Sequence, residues 1–426
     1  MLLNPSLLFV ILVRMQSLLI LGRQPALGVA ELESLYGADK LRPVGDKTVI
    51  VDVDPCLLAF DRLGGSVKFC KILTTHETTD WHQIEKFLLQ VSPGHSERML
   101  AGKMQLGLSV IGLDVPLKQL EATGLKLKKI VRKTGRSVRL IPNKAPELNS
   151  AQVLHNHLTG PTGWELIFIK DGSQTIIAQT VKVQDIESYT KRDRGRPKRD
   201  ARVGMLPPKL AQIIINLAAG PIPAQTLQSI CDIPAGEPIP TPILDQKVLD
   251  PFCGTGVILQ EAMLMGYGVY GTDLEPRMVE YTLENARWLT SNFPATGTDS
   301  RFETADATNY SWPHEFDLVA SETYLGRPFT APPSAEVLSQ TAAECQLIIK
   351  KFLLNIHGRL KPGQRLCLAV PAWQTKPGQF KHLPLVDQIS DLGYNRISFE
   401  HARDDNLIYA RPEQIVARQL LVITRK

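Results

Sequence analysis

The first half of the chain alternates short apolar runs with stretches of helical periodicity. Ser17–Leu21 is a continuous apolar run that predicts a strand, and Pro25–Tyr36 repeats apolar residues at helical spacing. Apolar runs at Thr48–Val53 and Val67–Leu73 predict two further strands. Residues 100–183 repeat the same mixture of strand-like and helix-like segments. This pattern predicts an α+β fold for the first half of the chain.

The C-terminal part of the chain shows a regular alternation of strands and helices. Val248-Leu249 predicts a strand that enters Asp250, and Gly268–Thr272 predicts a strand that ends at Asp273. A helical stretch follows each of them, and a further strand is predicted at Phe316–Ala320. Such alternation predicts a parallel, doubly wound sheet that binds its ligands at the carboxyl ends of the strands.

Positive charge is concentrated in two stretches, although the net charge of the 426 residues is only +5. Residues 126–144 contain eight basic residues and no acid, and residues 191–209 contain eight basic residues against two acids. The rest of the chain is therefore net acidic. This asymmetry predicts salt-dependent contacts with RNA phosphates, and the alternative is two solvated surfaces. The candidate RNA-binding residues are Lys128, Lys129, Arg132, Lys133, Arg192, Arg194, Arg196, Lys198 and Arg199.

The six cysteines are scattered without a CxxC motif or a cluster with histidine. This spacing argues against a disulfide framework and against a zinc site, so we expect no metal centre. It fits a reducing compartment, and we expect a cytoplasmic location.

The N-terminus carries a short apolar run, Leu7–Val13, that is too short to span a bilayer. Arg14 follows this run, whereas a signal peptide carries its positive charge before the apolar stretch. We therefore expect no stable membrane association, with a membrane anchor as the alternative. Our hypothesis is that Met15 is the true start, or that residues 1–14 form a dispensable extension.

A glycine turn between a predicted strand and a predicted helix carries the clearest chemical signal. Residues 248–256 read VLDPFCGTG, and position 259 is Leu, so the third glycine of a dinucleotide fingerprint is absent. An acid at the turn repels a pyrophosphate but suits a cation such as the sulfonium and ammonium of S-adenosylmethionine. The alternative is a structural turn with capping aspartates. The candidate cofactor-binding residues are Asp250, Pro251, Phe252, Cys253, Gly254, Thr255, Gly256, Asp273 and Asp306.

These motifs resemble those of a known family. DPFCGTG and GTDLEPRM are similar to class I S-adenosylmethionine-dependent methyltransferases, in the branch that methylates the exocyclic amino group of guanine in tRNA and carries a THUMP domain. Upstream, LGRQPALGVAELESLYG resembles the ferredoxin-like start of that family. LNSAQVLHNHL and the segment from QTVKV to IIINLA resemble the end of THUMP and the approach to the catalytic domain. The resemblance covers most of residues 16–370.

The resemblance implies an α/β chain in which a Rossmann-like, doubly wound methyltransferase domain follows an α+β ferredoxin-like and THUMP-like module. The expected parts are an extension (1–15), a ferredoxin-like domain (16–98), a THUMP-like RNA-binding domain (99–190), a basic segment with a helix and a proline-rich linker (191–246), and the methyltransferase domain (247–426). The implied cofactor is S-adenosylmethionine, and the implied partner is RNA, specifically tRNA.

The fourth strand of the family ends in Asp/Asn-Pro-Pro-Tyr/Phe, and this chain departs from that string. The acidic side chain and the first prolyl carbonyl accept the two N–H groups of the target amine, and the aromatic ring stacks on an extruded base. Here the register puts Glu322 on the acidic position, Thr323 and Tyr324 on the prolines, and Leu325 on the aromatic position. Glu322, Thr323 and Tyr324 are the candidate catalytic residues.

The predicted function is methylation of the exocyclic amino group of a guanine in tRNA. The altered string leaves open an RNA-binding protein that is inactive or that requires a small activating protein partner. A DNA amino-methyltransferase is a further alternative, because the same motifs permit it.

Overall fold

The computed structural model describes residues 16–200, 205–222, 244–294, 299–329, 331–376, 378–412 and 414–426. The chain divides into two compact units. Among the described residues, one unit contains residues 16–23, 40–60 and 66–186, and the other contains residues 24–39, 61–65 and those from 187 onward. The hypothesis about Met15 concerns residues outside the described ranges. Among the described helices, none is long and apolar enough to cross a membrane.

The first unit is built on one sheet of eight strands in the order β2-β3-β1-β4-β8-β7-β5-β6. Neighbouring strands are antiparallel, except that β5 pairs in parallel with both β6 and β7. The strands are β1 (Ser17–Leu21), β2 (Leu41–Val44), β3 (Thr48–Val51), β4 (Ser66–His76), β5 (Met104–Ile111), β6 (Val138–Leu140), β7 (Gly163–Asp171) and β8 (Gln174–Val183). Strands of residues 16–98 and of residues 99–190 therefore share one sheet, joined where β4 pairs with β8.

Apolar helix faces cover one side of this sheet. Trp81 and Leu127 are buried in one cluster with Trp164 and Phe168 of β7. The helices of residues 81–155 are α2 (Trp81–Arg98), α3 (Leu117–Arg132) and α4 (Ser150–His155), and α1 (Pro25–Tyr36) belongs to the second unit. The amphipathic pattern of α3 thus leaves its basic residues on the opposite face of the helix.

A buried ion pair lies inside the first sheet. Lys68 Nζ is 2.5 Å from Glu165 Oε1, and both side chains are almost fully buried. The hydroxyls of Ser109 and Thr180 donate to the same carboxylate at 2.7 and 2.5 Å. The Glu165 carboxylate therefore has an opposite charge and two hydroxyl donors beside it, and these interactions offset the free-energy cost of burying the charges.

The second unit contains a sheet in the order β11-β10-β9-β12-β13-β17-β15, with β14 on β13 and β16 on β17. Pairing along this order is parallel, except that β17 runs antiparallel to both of its neighbours. The strands are β9 (Lys247–Asp250), β10 (Gly268–Asp273), β11 (Ser300–Thr304), β12 (Leu318–Glu322), β13 (Arg365–Lys376), β14 (Gln379–Lys381), β15 (Tyr394–Arg396), β16 (Ile408–Tyr409) and β17 (Val416–Arg425). The strand order reverses between β9 and β12, which opens a crevice at their carboxyl ends.

Helices accompany this second sheet along the chain. They are α5 (Ile186–Arg194), α6 (Pro208–Ala219), α7 (Val257–Leu264), α8 (Pro276–Asn292) and α9 (Ala335–His357). Trp312, Phe352, Trp373 and Tyr394 are fully buried in one apolar cluster of this unit. The described part of the chain thus has the predicted doubly wound sheet in its C-terminal portion.

A buried carboxylate joins α1 to the rest of the second unit. Glu31 accepts hydrogen bonds from the backbone N–H groups of Gly64 and Gly65 at 2.9 and 2.8 Å, and from Asn216 Nδ2 at 2.7 Å. Burial raises the pKa of Glu31 to about 7. A Cβ atom at Gly65 would lie 2.4 Å from Gly28 Cα, so this close approach requires glycine.

Candidate active site

A cavity of about 1040 Å³ lies at the carboxyl ends of β9, β10 and β12 in the second unit. Its lining comes from the turn after β9, the end of β10, residues 306–308, the loop after β12, and parts of α9 and β17. This is the position at which the reversal of strand order predicts a ligand.

The glycine turn after β9 is fixed by the carboxylate at the end of β10. Asp273 Oδ2 accepts from the Gly254 N–H at 2.8 Å, and its Oδ1 accepts from the Glu275 N–H at 3.0 Å. Gly254 and Gly256 have φ values of +53° and +79°, a region that favours glycine. A Cβ atom at Gly256 would also lie 2.8 Å from Thr282 Cγ2, so both glycines are required by the path of the backbone.

Asp250 ends β9 beneath this turn and is 2 % exposed. It accepts a hydrogen bond from Ser321 Oγ at 2.6 Å and from the Phe252 N–H at 3.2 Å. Burial, with a further contribution from the neighbouring Asp273 and Glu322 carboxylates, raises the pKa of Asp250 to about 8. Burial also raises the pKa of Asp273. A cation brought close to either carboxyl group would favour its ionised form.

All but one of the predicted cofactor residues line this cavity, and the exception is Gly256. Asp306 also lines it, but its carboxylate already accepts bonds within its own loop, from the Thr308 N–H and hydroxyl at 2.9 and 2.8 Å. Leu274, which sequence reasoning missed, lines the cavity beside Asp273 and is 64 % exposed. The sequence signal that could have identified it is its position, directly after the acidic residue that ends a predicted strand.

Glu322 is held by an arginine from a distant strand. Arg418 Nε of β17 donates to Glu322 Oε1 at 2.5 Å, and both side chains are largely buried while lining the cavity. Glu322 is in register with Ala369 of β13, and Arg418 is in register with Pro371. Ala369 and Pro371 are two positions apart on β13, so their side chains lie on the same face of the sheet. Both side chains are small, which leaves room for the Arg418 side chain to cross β13 and contact Glu322. Sequence reasoning missed Arg418, since nothing near position 418 marks it.

The loop after Glu322 is fixed without the prolines of the family string. The Thr323 N–H donates to the Ala369 carbonyl at 3.1 Å, and the Thr323 hydroxyl donates to the same oxygen at 3.2 Å. A proline has no N–H and could not make the first of these bonds. Tyr324 is 38 % exposed and lines the cavity, as do Glu322 and Thr323. The structure thus brings the three candidate catalytic residues to the same cavity as the glycine turn.

The basic stretch at 191–200 is partly built into the second unit, which corrects the sequence expectation for two residues. Arg192 is buried, its Nε lies 2.7 Å from Glu261 Oε1, and its guanidinium stacks over the Tyr189 ring at 4.4 Å. Arg196 is 4 % exposed, and burial lowers its pKa. Neither guanidinium is accessible to an RNA phosphate.

The other candidate RNA-binding residues differ in their surroundings. Arg194 and Arg199 are exposed, whereas Lys198 lies 3.3 Å from Glu284 and over the Tyr281 ring at 5.1 Å. In the first unit, Lys129, Arg132 and Lys133 are exposed and Lys128 is half-buried.

Comparisons with known proteins give matches to the segment that carries this cavity. Residues 245–407 match the family model described as a methyltransferase domain. A tRNA (guanine(10)-N2)-dimethyltransferase of Methanothermobacter thermautotrophicus is 30 % identical over 168 residues, which is 39 % of this chain and 39 % of that protein. An enzyme with the same name from Pyrococcus abyssi is 28 % identical over 154 residues, 35 % of this chain and 38 % of that protein. The chain thus spans well under half the length of these relatives.

A solved structure supports the fold. The crystal structure of TrmN from Thermus thermophilus superposes with a TM-score of 0.51 and 17 % identity, covering 97 % of this chain and 100 % of that one. This likeness, together with the strand order around the glycine turn, confirms the predicted Rossmann-like α/β fold. Residues 245–407 are therefore similar to methyltransferase domains, both in sequence and in the order of their strands.

Proposed function

We propose that the chain is an S-adenosylmethionine-dependent methyltransferase that acts on the exocyclic amino group of a guanine in tRNA. One observation carries the proposal: a single cavity joins the glycine turn and its two aspartates to Glu322 and Tyr324. The relatives that share the methyltransferase segment are named for this chemistry, which supports the choice of substrate.

The residues of the cavity fit the cofactor. Asp250 and Asp273 offer carboxylates for its two cationic groups or its ribose, and the turn at Gly254 allows close approach of a ligand to the backbone. When bound, S-adenosylmethionine supplies a methyl group on a sulfonium, and transfer to nitrogen leaves a neutral thioether and one proton. Pro251, Phe252, Cys253, Thr255 and Asp306 would complete the cofactor-binding wall, and Gly256 would set the start of α7.

The opposite wall would orient the base. Glu322 is proposed to accept one N–H of the target amine through its carboxylate, which Arg418 holds in place. By the resemblance, the Thr323 carbonyl takes the position that accepts the second N–H, and the partly exposed ring of Tyr324 stacks on the extruded base. Two acceptors on the amine turn its lone pair toward the methyl group, and proximity then supplies most of the rate.

RNA binding is proposed for the exposed basic face of α3, formed by Lys128, Lys129, Arg132 and the adjacent Lys133, and for Arg194, Lys198 and Arg199. Arg192 and Arg196 are left out because they are buried. The first unit would then supply most of the ferredoxin-like part (16–98) and of the THUMP-like part (99–190), whereas residues 24–39, 61–65 and 187–190 belong to the second unit. The basic segment and linker (191–246) would follow. We also propose a cytoplasmic location, since tRNA is present there.

A second candidate function is an RNA-binding protein that turns over only with a small activating protein, or not at all. The observation in its favour is that Glu322, in place of the usual acid, is already engaged by Arg418. Any such partner would have to reorganise that pair before the amine could bind.

The test is transfer of labelled methyl groups to unmodified tRNA, ribosomal RNA and duplex DNA, beside a titration of cofactor binding. Transfer to tRNA alone, retained on guanine N2 after nuclease digestion, is the expected result. Transfer only to DNA would favour the DNA amino-methyltransferase, and binding without transfer would favour the second candidate. Absence of cofactor binding would overturn the methyltransferase proposal altogether.

A further inference from the structure

The two sides of the cavity carry charges of opposite sign. On the β9 and β10 side, the charged lining residues are acids: Asp250, Asp273, Glu275 and Asp306. On the β12, α9 and β17 side they are mainly basic: Arg327, Lys351, Arg411 and Arg418, with Glu322 at the boundary. The acids suit the cationic groups of the cofactor, whereas the basic side suits an anionic group.

Three of these basic groups are available to a ligand. Arg418 is paired with Glu322, but within the described ranges no carboxylate forms a salt bridge with Arg327, Lys351 or Arg411. Arg327 and Lys351 are exposed, and Arg411 is half-buried with its Nε donating to the Tyr409 hydroxyl at 3.1 Å. These three residues, called the basic rim below, come from the loop after β12, from α9 and from the segment before β17.

Aromatic and apolar surface lies beside the basic rim. Tyr324 is 38 % exposed, and Phe329 of the same loop is half-buried, and both line the cavity. Leu347, one helical turn before Lys351 on α9, is 54 % exposed and also lines the cavity. Stacking surface next to cations without a carboxylate partner is the combination with which proteins bind single-stranded nucleic acid.

We infer that the basic rim binds the phosphates that flank the target nucleotide, so that the methyltransferase domain itself takes a single-stranded segment of RNA. This inference rests on the proposed function and specifies its substrate: a nucleotide within a polynucleotide chain. A free nucleoside lacks these phosphates and would bind poorly. The binding is separate from that of the α3 face, which lies in the other unit.

The test measures binding of a short single-stranded RNA oligonucleotide containing guanosine, over a series of salt concentrations, by fluorescence anisotropy. The variant is the full chain with Arg327→Gln, Lys351→Gln and Arg411→Gln. Both this variant and the parent are also studied with Lys128, Lys129, Arg132 and Lys133 replaced by Gln, which removes the contribution of the α3 face. The matched control carries Arg287→Gln, Lys350→Gln and Arg359→Gln, three exposed residues of the same unit outside the cavity.

The expected result is a fall of about tenfold or more in oligonucleotide affinity, with the salt dependence flattened by roughly 0.7 in log–log slope for each phosphate that is no longer neutralised. The control variant should change affinity only slightly, and the affinity for S-adenosylmethionine should not change in either. Weakened cofactor binding with RNA binding intact would overturn the inference, because the rim would then hold the cofactor carboxylate. Equal effects of the rim and control variants would also overturn it, as would no effect of either.

Failure of this inference and failure of the proposed function give different experimental results. Failure of methyl transfer by the parent chain contradicts the proposal that this chain alone is an active methyltransferase. The binding measurement tests RNA binding by the basic rim whether or not turnover occurs.

Discussion

The two sides of the cavity are held together in different ways. On the cofactor side, the main bond joins the Gly254 N–H to Asp273, residues 19 positions apart in one β-α-β unit. On the substrate side, the corresponding bond joins Arg418 to Glu322, residues 96 positions apart on strands separated by β13. The first bond joins a backbone N–H group to a side chain, whereas the second joins two side chains.

This difference means that the substrate side is the more vulnerable to point substitution. On the cofactor side the backbone N–H persists whatever the side chain at its position, so only a substitution of Asp273 removes the bond. In the Glu322–Arg418 pair both partners are side chains. Substitution of either one breaks the bond and leaves the other group largely buried without its partner.

Glu322→Gln should give the largest effect and break the substrate side alone. We expect kcat for methyl transfer to tRNA to fall about hundredfold to thousandfold, the range for removal of one positioned hydrogen-bonding group. Cofactor affinity, measured by calorimetry, should stay within about twofold of the parent. Glu280→Gln, an exposed change on α8, is the control and should be indistinguishable from the parent. Unchanged turnover in Glu322→Gln would contradict the role assigned to this carboxylate.

Arg418→Met should give the next largest effect, through Glu322. Misplacement of a catalytic group by about 1 Å can cost about hundredfold, and we expect kcat to fall by about that factor with little change in KM. Arg418→Lys should restore part of the rate. The double variant with Glu322→Gln should be no slower than Glu322→Gln alone, since the two residues act as one unit. Independent, multiplying effects would show that Arg418 acts by another route.

The same difference explains how far the sequence could predict the site. The glycine turn and Asp273 lie within one continuous segment, where strand ends and glycine positions determine the geometry locally. Arg418 is positioned only by the antiparallel pairing of β17 with β13, which no local pattern around residue 418 records. The role of Thr323 in fixing the loop likewise depends on a distant partner, because its N–H continues the pairing of β12 with β13.

The basic stretches show the same limit. On α3, the helical period separates the apolar positions from Lys129 and Arg132, so their exposure follows from the sequence. In residues 191–200 the charges have no such period, and whether a residue is exposed depends on distant partners. Arg192 is buried because it pairs with Glu261 on α7. The two residues are 69 positions apart, and no sequence pattern identifies them as partners.

Asp273→Ala should affect the cofactor side alone and more moderately. The substitution removes a carboxylate that we propose the cofactor contacts, and bonds to a charged acceptor are worth about 1.5–3 kcal/mol. We therefore expect cofactor affinity to fall roughly tenfold to a hundredfold, measured by calorimetry, while RNA affinity at fixed salt is unchanged. Asp387→Ala, at an exposed site outside the cavity, serves as the control. A parallel fall in RNA affinity would show that the two sides are not separable.

The smallest predicted effect is a pH dependence confined to the cofactor side. The pKa of Asp250 is raised to about 8, so in the ligand-free protein this carboxyl is protonated at neutral pH. A bound cation favours the carboxylate, so binding releases a proton below about pH 8, and affinity should rise by up to about tenfold between about pH 7 and pH 8.5 and then level off.

Calorimetry in buffers of different ionisation enthalpy measures this proton release directly. Asp250→Asn cannot ionise, so its cofactor affinity should follow only the titration of the cofactor itself, and the difference between the two pH profiles isolates Asp250. The same protonation makes ligand-free stability fall as pH rises toward about 8, because the unfolded carboxyl ionises near its ordinary pKa while the folded one does not. Identical pH profiles for the parent and Asp250→Asn would show that the buried acid does not face the cation, and the cofactor side would then rest on Asp273 alone.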